Sequence, residues 1–216
     1  MATTSRHTAG AGDRRAVRRR ETLAEALDHA EAIIAERGAG GLSVSEVARR
    51  IGVRGPSLYK YFPSLHAMYD ALFARGLAGT DSAVQEAVAS AEPGIETIRA
   101  AAEAIVRWSV EHPALAQLLY WRPVPGFEPS PEVFRASAAS MEQARAAFAD
   151  AVRLGQLAPG ADGDDAVRLY TVVLSGLLSQ QMANEPGASY EAGSFTRLTE
   201  EALDMFFTHW TPKRRS

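Results

Sequence analysis

Between positions 43 and 62 the chain reads SVSEVARRIGVRGPSLYKYF, and its polar side chains are of the kinds that hold phosphates and base edges. Arg54 can address guanine O6 and N7 with two parallel donors, and Ser57 can reach a base edge. Lys60 on a phosphate gives affinity without sequence choice, and Tyr59 and Tyr61 can seat the same element on the sugar-phosphate backbone. Ser43 and Pro56 stand at the two helix starts that present these groups. The chemistry is that of reading a duplex, provided that something rigid holds the groups in register.

The apolar residues supply the rigid element. Val44, Val47, Ala48 and Ile51 recur at helical spacing, Gly52 interrupts them, and Val53 and Leu58 return to the same core. Ser43 fits an N-cap, with Glu46 three residues on completing a capping box. Gly52 suits the left-handed residue that ends a helix, and Pro56 the first turn of the next. The spacing predicts a second helix over 56–62, about two turns long. Leu58 and Phe62 face inward, while Ser57, Tyr59, Lys60 and Tyr61 face outward. Upstream, a helix is predicted over 20–37 with Leu23, Ala26, Leu27, Ala30 and Ile34 on its inner face, stopped by Gly38, Gly40 and Gly41. That glycine cluster is not a phosphate loop, because no strand precedes it and no Gly-Lys-Ser/Thr follows. Downstream, Pro63 and Ser64 open a long helix reaching about position 89, with Met68, Leu72, Phe73 and Leu77 toward the core. His66, near its start, reads equally well as a phosphate contact or an exposed polar residue.

The run from Leu23 to Asp70 resembles the N-terminal domain of the TetR/AcrR family of bacterial transcriptional regulators. The resemblance rests on Gly52, Val53, Arg54, Gly55, Pro56, Ser57, Leu58 and Tyr59, a Gly-Val-x-x-Pro-Ser/Thr-Leu-Tyr pattern, followed by Lys60, Tyr61 and Phe62. Two positions depart from the family pattern: Leu65 stands where many relatives carry a Lys near the DNA backbone, and Arg54 replaces a small cap residue. The resemblance implies an all-α fold, with an N-terminal three-helix helix-turn-helix DNA-binding domain over 20–75. A helical ligand-binding and dimerisation domain follows over 76–216. It also implies a homodimer on a palindromic double-stranded operator, usually as a repressor, released by a small organic effector. The long helix after Phe62 would carry the signal.

Composition agrees. With 216 residues, 46% of them apolar, the chain can bury a substantial core, and it has no cysteine for disulfide, thiolate-zinc or redox chemistry. No apolar run approaches the ~18 residues of a membrane span, and the Arg-rich start has no apolar stretch behind it, so a soluble, cytoplasmic protein without membrane contact is expected. Residues 1–75 hold twelve Lys plus Arg against eight Asp plus Glu, whereas residues 76–216 hold eleven against eighteen. The positive excess coincides with the duplex-reading element, and the acidic remainder is repelled by DNA. Residues 1–19 read as a flexible basic arm in which Arg6, Arg14, Arg15, Arg18 and Arg19 face only Asp13. Arg18 and Arg19, nearest the first helix, are the candidates for phosphate contact, the alternative being a solvated tail.

Rival classes find less support. The five histidines, His7, His29, His66, His112 and His209, form no zinc-binding pair, and no nucleophile elbow or dinucleotide fingerprint is present. No catalytic residue, cofactor or metal is therefore expected, and the acidic run 162–165 reads as a helix start rather than a calcium loop. A helical adaptor or an enzyme without a known motif would leave the helix-turn-helix unexplained.

In the C-terminal part, helices are predicted at about 93–111, 113–121, 130–154, 163–183 and 190–209. The fourth is apolar almost all round and must be covered on two sides. Leu169, Val173, Gly176, Leu177 and Gln180, with Leu198 and Phe206 from the last helix, are the expected dimer face; full burial inside one monomer is the alternative. Trp108, Tyr120, Trp121, Phe134, Met141 and Tyr170 are the candidates for a pocket taking an apolar or aromatic effector, against ordinary core packing.

Overall fold

The computed structural model describes residues 9–212, and the side chains of residue 14 and of 16–212. Every regular element among them is helical, and they fall into two compact units.

The first unit reaches Leu72 and also takes in Pro123–Phe127. It contains α1 (Ala9–Arg37), a 3-10 turn (Ala39–Gly41), α2 (Val44–Arg50), α3 (Gly55–Tyr59) and the first turns of α4 (Leu65–Val88). Ala26, Ala30, Ile33 and Ile34 bury one stripe of α1, and Val44, Val47, Leu58, Phe62, Met68 and Leu72 are buried in the same unit. The buried Tyr69 hydroxyl donates to the Ala39 carbonyl at 2.5 Å, fixing α4 to the turn that ends α1. α4 itself begins as expected, with the Ser64 hydroxyl accepting from the Ala67 amide at 3.1 Å. Phe127 joins this unit by setting its ring against Tyr69 and His66, at centroid distances of 5.8 and 6.0 Å.

Two expectations change here. The first helix starts at Ala9, not at position 20, so the basic segment 9–19 is helical rather than a flexible arm. Its alanines and arginines are strong helix formers, and that propensity prevails over the repulsion between like charges. Positions 1–8, with Arg6 and His7, lie outside the described residues. The helix expected over 56–62 spans only Gly55–Tyr59. The amides of Tyr61 and Phe62 both donate to the Leu58 carbonyl at 2.9 Å, closing the chain into a tight turn.

The second unit holds the remainder of α4 and then α5 (Ile95–Glu111), α6 (Pro113–Tyr120), α7 (Pro131–Arg153), α8 (Asp164–Asn184) and α9 (Thr199–His209). α5 is its axis, packing against α6, α7, α8 and α9. Ile98, Ala102 and Val106 of α5 meet Phe148, Tyr170, Leu174 and Phe206 in one core. Positions 190–198, expected to be helical, are instead a loop ending in a 3-10 turn at Thr196–Leu198. Side chains at the end of α8 capture the backbone there: Gln181 Oε1 accepts from the Phe195 and Thr196 amides at 3.2 and 3.3 Å, and Glu185 from the Ser194 amide at 2.7 Å. Amides satisfied in this way do not propagate a helix.

Candidate nucleic-acid interface

The Ser43 hydroxyl caps α2, accepting from the Glu46 amide at 3.2 Å. The box closes on one side only. The Glu46 carboxylate accepts from Arg49 at 2.8 Å through each oxygen and from Arg50 at 3.2 Å. Those guanidinium hydrogen bonds, Arg49 first, pull the Glu46 pKa down to about 2. Gly52 takes φ +69°, the left-handed turn expected of it, and brings the chain round to α3.

α3 is anchored by Leu58, and Phe62 follows it into the core. On the other side Pro56, Ser57, Tyr59 and Lys60 are exposed, Tyr59 at 46%. Arg54, at the N-cap position, is exposed and makes no side-chain cap hydrogen bond. Thus Arg54, Ser57, Tyr59 and Lys60 share one presented surface. Tyr61 is only half-buried and turns toward α1, where the Arg19 guanidinium lies 5.6 Å from its ring centroid. Arg18, Arg19, Thr22, Lys60 and Tyr61 together line an open concavity of about 440 Å3. His66 is exposed, with its ring edge on Phe127. Among the described residues, no group of three or more His, Asp or Glu is placed to hold a metal ion.

In the second unit the six aromatic and methionine candidates are not gathered into one enclosure. Tyr170 is a core residue: its ring meets Phe148 and Phe206 at 5.4 and 6.0 Å, and burial raises its hydroxyl pKa. Phe134, 66% exposed, and Met141 lie on the outer face of α7. Trp121 is tied to α8 through Nε1, which donates to Ser179 Oγ at 3.0 Å. Trp108 and Tyr120 each approach α4, at Gly79 and Thr80. Trp108 is buried against Gly79 and stacks on His112, while Tyr120, 38% exposed as a residue, turns its hydroxyl inward toward Ser109 and Thr80, where burial of that end raises its pKa. Nearby on α4, both Asp81 oxygens lie within 3.0 Å of Ser140 Oγ from α7. Thr80, Asp81, Ser109 and Ser140 come from three helices, and none carries a local signal in the sequence.

The expected dimer face divides similarly. Leu169, Gly176, Gln180 and Leu198 are exposed, and Val173 and Leu177 half-buried. Phe206 leaves the set: it is 3% exposed and packed between Phe148, Tyr170 and Phe207. The exposed apolar stripe instead takes in Val172 on α8 and Met205 on α9, the latter 71% exposed. Met205 was readable in principle, since Leu198, Ala202 and Met205 recur at i, i+4 and i+7, off the buried Leu203 and Phe206 face.

Comparison with known proteins adds the following. Residues 26–72 match the family described as bacterial regulatory proteins, tetR family, and residues 98–206 match the tetracyclin repressor-like C-terminal domain. HTH-type transcriptional regulators of Mycobacterium bovis and Mycobacterium tuberculosis are 32% identical over 124 residues, 56% of this chain and 51% of theirs. The matched region thus spans about half the length of these relatives. A protein with unknown function from Rhodococcus sp. is similar in structure, with a TM-score of 0.73, 25% identity and coverage of 88% of this chain and 95% of that one. A TetR family transcriptional regulator from Thermus thermophilus shares the fold over 100% of both chains, with a TM-score of 0.66 and 19% identity.

Proposed function

The chain belongs to the TetR family of bacterial transcriptional regulators, and on that premise we propose that it binds an inverted-repeat DNA operator as a homodimer and releases it when a small organic effector binds. The observation that carries this reading is the surface of α3: Arg54, Ser57, Tyr59 and Lys60 are presented on a short helix whose other side is locked into the core by Leu58 and Phe62. A dimer sets the two α3 helices into successive major grooves, about 34 Å apart. Arg54 and Ser57 address base edges, and Tyr59, Lys60 and Tyr61 hold phosphates, joined by Arg18, Arg19, His66 and the Ser43 hydroxyl.

The dimer forms through α8 and α9. Leu169, Val172, Val173 and Gly176 of α8, Leu198 of the 3-10 turn and Met205 of α9 offer exposed apolar surface on packed elements, a surface that water disfavours and a second copy covers. The effector site lies beside α4, where the Trp108 and Tyr120 rings offer apolar area and Thr80, Asp81, Ser109 and Ser140 offer hydrogen bonds. To invert occupancy from 99:1 to 1:99, an effector must prefer the released form by about 5.5 kcal/mol. In this reading the protein represses transcription in the cytoplasm.

Selection of bound fragments from random duplex DNA tests the reading. An inverted repeat should emerge and bind in preference to a scrambled duplex of equal length, and compounds screened against that complex should include one that releases it. Recovery of no inverted repeat in the absence of effector overturns it.

A further inference from the structure

We infer that the notch between α1 and the end of α3 is a phosphodiester subsite for DNA flanking the half-site that α3 reads, and that Arg14 extends this grip by one further helical turn. The inference rests on the operator-binding reading above, and adds to it that the protein senses duplex beyond its inverted repeat.

The notch brings three cations together. Arg18 and Arg19 come from α1 and Lys60 from the end of α3, and no carboxylate is among the lining residues. The Thr22 hydroxyl donates to the Arg18 carbonyl at 3.0 Å, so its proton is engaged and the holding of an anion falls to the three cations. The Tyr61 ring keeps the Arg19 guanidinium against the wall, which reduces the freedom it loses when a ligand arrives.

The charge pattern of α1 points to a polyanion rather than a single ion. Its first twelve residues carry five arginines against Asp13, and no acid lies in its first turn. The rest carries Glu21, Glu25, Asp28, Glu31 and Glu36 against Arg37. No acidic side chain stands in the first turn to complement the helix dipole, which favours anions there. The pair Arg14–Arg18 also stands at the i, i+4 spacing at which like charges repel. Such an arrangement weakens the isolated helix and is relieved by a line of negative charge alongside it.

The spacing fits a nucleic-acid strand. Arg14, Arg18 and Thr22 follow one another at i, i+4 and i+8, about 6 Å per step along the helix. A strand of B-DNA advances about 3.4 Å per nucleotide along the duplex axis. Each step therefore covers about two nucleotides, and the exposed Arg14 and Arg18 address different phosphates.

The test uses the full chain and the inverted-repeat duplex recovered by selection, prepared cut at the edges of the repeat and with ~10 base pairs added at each side, one helical turn. Binding is titrated at a series of KCl concentrations. The wild type should bind the flanked duplex more tightly and with a steeper dependence of log K on log salt. The triple variant Arg14→Ala, Arg18→Ala, Arg19→Ala should lose about 5 from that slope on the flanked duplex, three contacts from each protomer of the dimer at ~0.9 per phosphate contact, and should no longer distinguish the two lengths. Its preference among base sequences should not change. Methylphosphonates in the flanks should reproduce the loss with the wild-type protein and add nothing to the variant, a check that does not depend on how the variant folds. Equal slopes on both lengths for the wild type, or flank dependence kept by the variant, overturns the inference. Displacement of the short duplex by millimolar inorganic phosphate beyond the effect of chloride at equal ionic strength, absent in the variant, makes the notch a free-phosphate site instead. Failure to recover any inverted repeat sinks the operator reading itself.

Discussion

Arg50 donates to Glu36 from both terminal guanidinium nitrogens, at 3.0 and 2.5 Å, across fourteen positions of chain. This pair ties the end of α2 to the last turn of α1, and Arg50 Nε adds a bond to Glu46 at 3.2 Å. The angle at which α3 is presented therefore depends in part on two carboxylates staying ionised.

Acid should loosen this unit. The folded pKa of Glu46 is lowered from 4.5 to about 2, and that of Glu36 is also lowered, chiefly by its hydrogen bonds to Arg50. A depressed carboxylate stabilises the folded state fully above its unfolded pKa. That contribution is lost as pH falls from about 4.5 through about 2. Thermal melting followed by circular dichroism between pH 6 and pH 2 should show the wild type losing more stability than Glu46→Gln, with the two curves converging at the acid end. Parallel curves would show that the Glu46 carboxylate contributes nothing.

Arg54 and Lys60 should fail in different ways. Arg54→Ala is expected to cost ~1–3 kcal/mol per half-site on the preferred operator and to relax the choice of base at one position in each half-site. Lys60→Ala should weaken binding to every sequence alike and reduce the salt slope by ~1.8, ~0.9 from each half-site. Titrating both variants against a panel of single-base operator mutants separates them. An Arg54 variant uniformly weaker across the panel would be a phosphate contact instead.

Met205→Asp and Val172→Asp place a charge in the exposed apolar stripe without disturbing the core beneath it. Each should yield a folded monomer at micromolar concentration by sedimentation, with far weaker operator binding. A wild type that already sediments as a monomer removes the proposed interface.

Two glycines should respond oppositely to alanine. A Cβ at Gly79 would stand 2.9 Å from Trp108 Cζ2, so Gly79→Ala forces a buried ring to move at ~1–3 kcal/mol, more than the ~1 kcal/mol gained in helix propensity. At Gly176 nothing lies within 4 Å, so the added methyl should stabilise a monomer by up to ~1 kcal/mol. If Gly176 sits where two copies approach, Gly176→Ala will weaken the dimer while raising monomer stability, which denaturation at several protein concentrations distinguishes.

The N-terminal unit was largely legible from the sequence because its signals are local. Ser43 caps the helix that begins one residue later, Gly52 turns the chain it interrupts, and Leu58 and Phe62 bury at the spacing that places them inward. Where that reading failed, the deciding groups were distant or shared. Glu46 satisfies the capping pattern, yet its carboxylate is taken by Arg49 and Arg50, and α3 ends early because two amides share the Leu58 carbonyl.

The sequence by itself determined the all-helical class, the helix-turn-helix and most of the helix boundaries, since caps, glycines and apolar periodicity act within a turn or two of where they stand. Tertiary structure decided which apolar residues are core and which are surface. Phe206 and Met205 are adjacent in the chain and equally apolar, but one closes on Phe148 and Tyr170 and the other faces outward. It likewise decided that the Tyr120 hydroxyl meets Thr80 of α4 and Ser109 of α5, and that Arg19 meets Tyr61, because those neighbours are fixed by the packing of helices and leave no trace in local spacing.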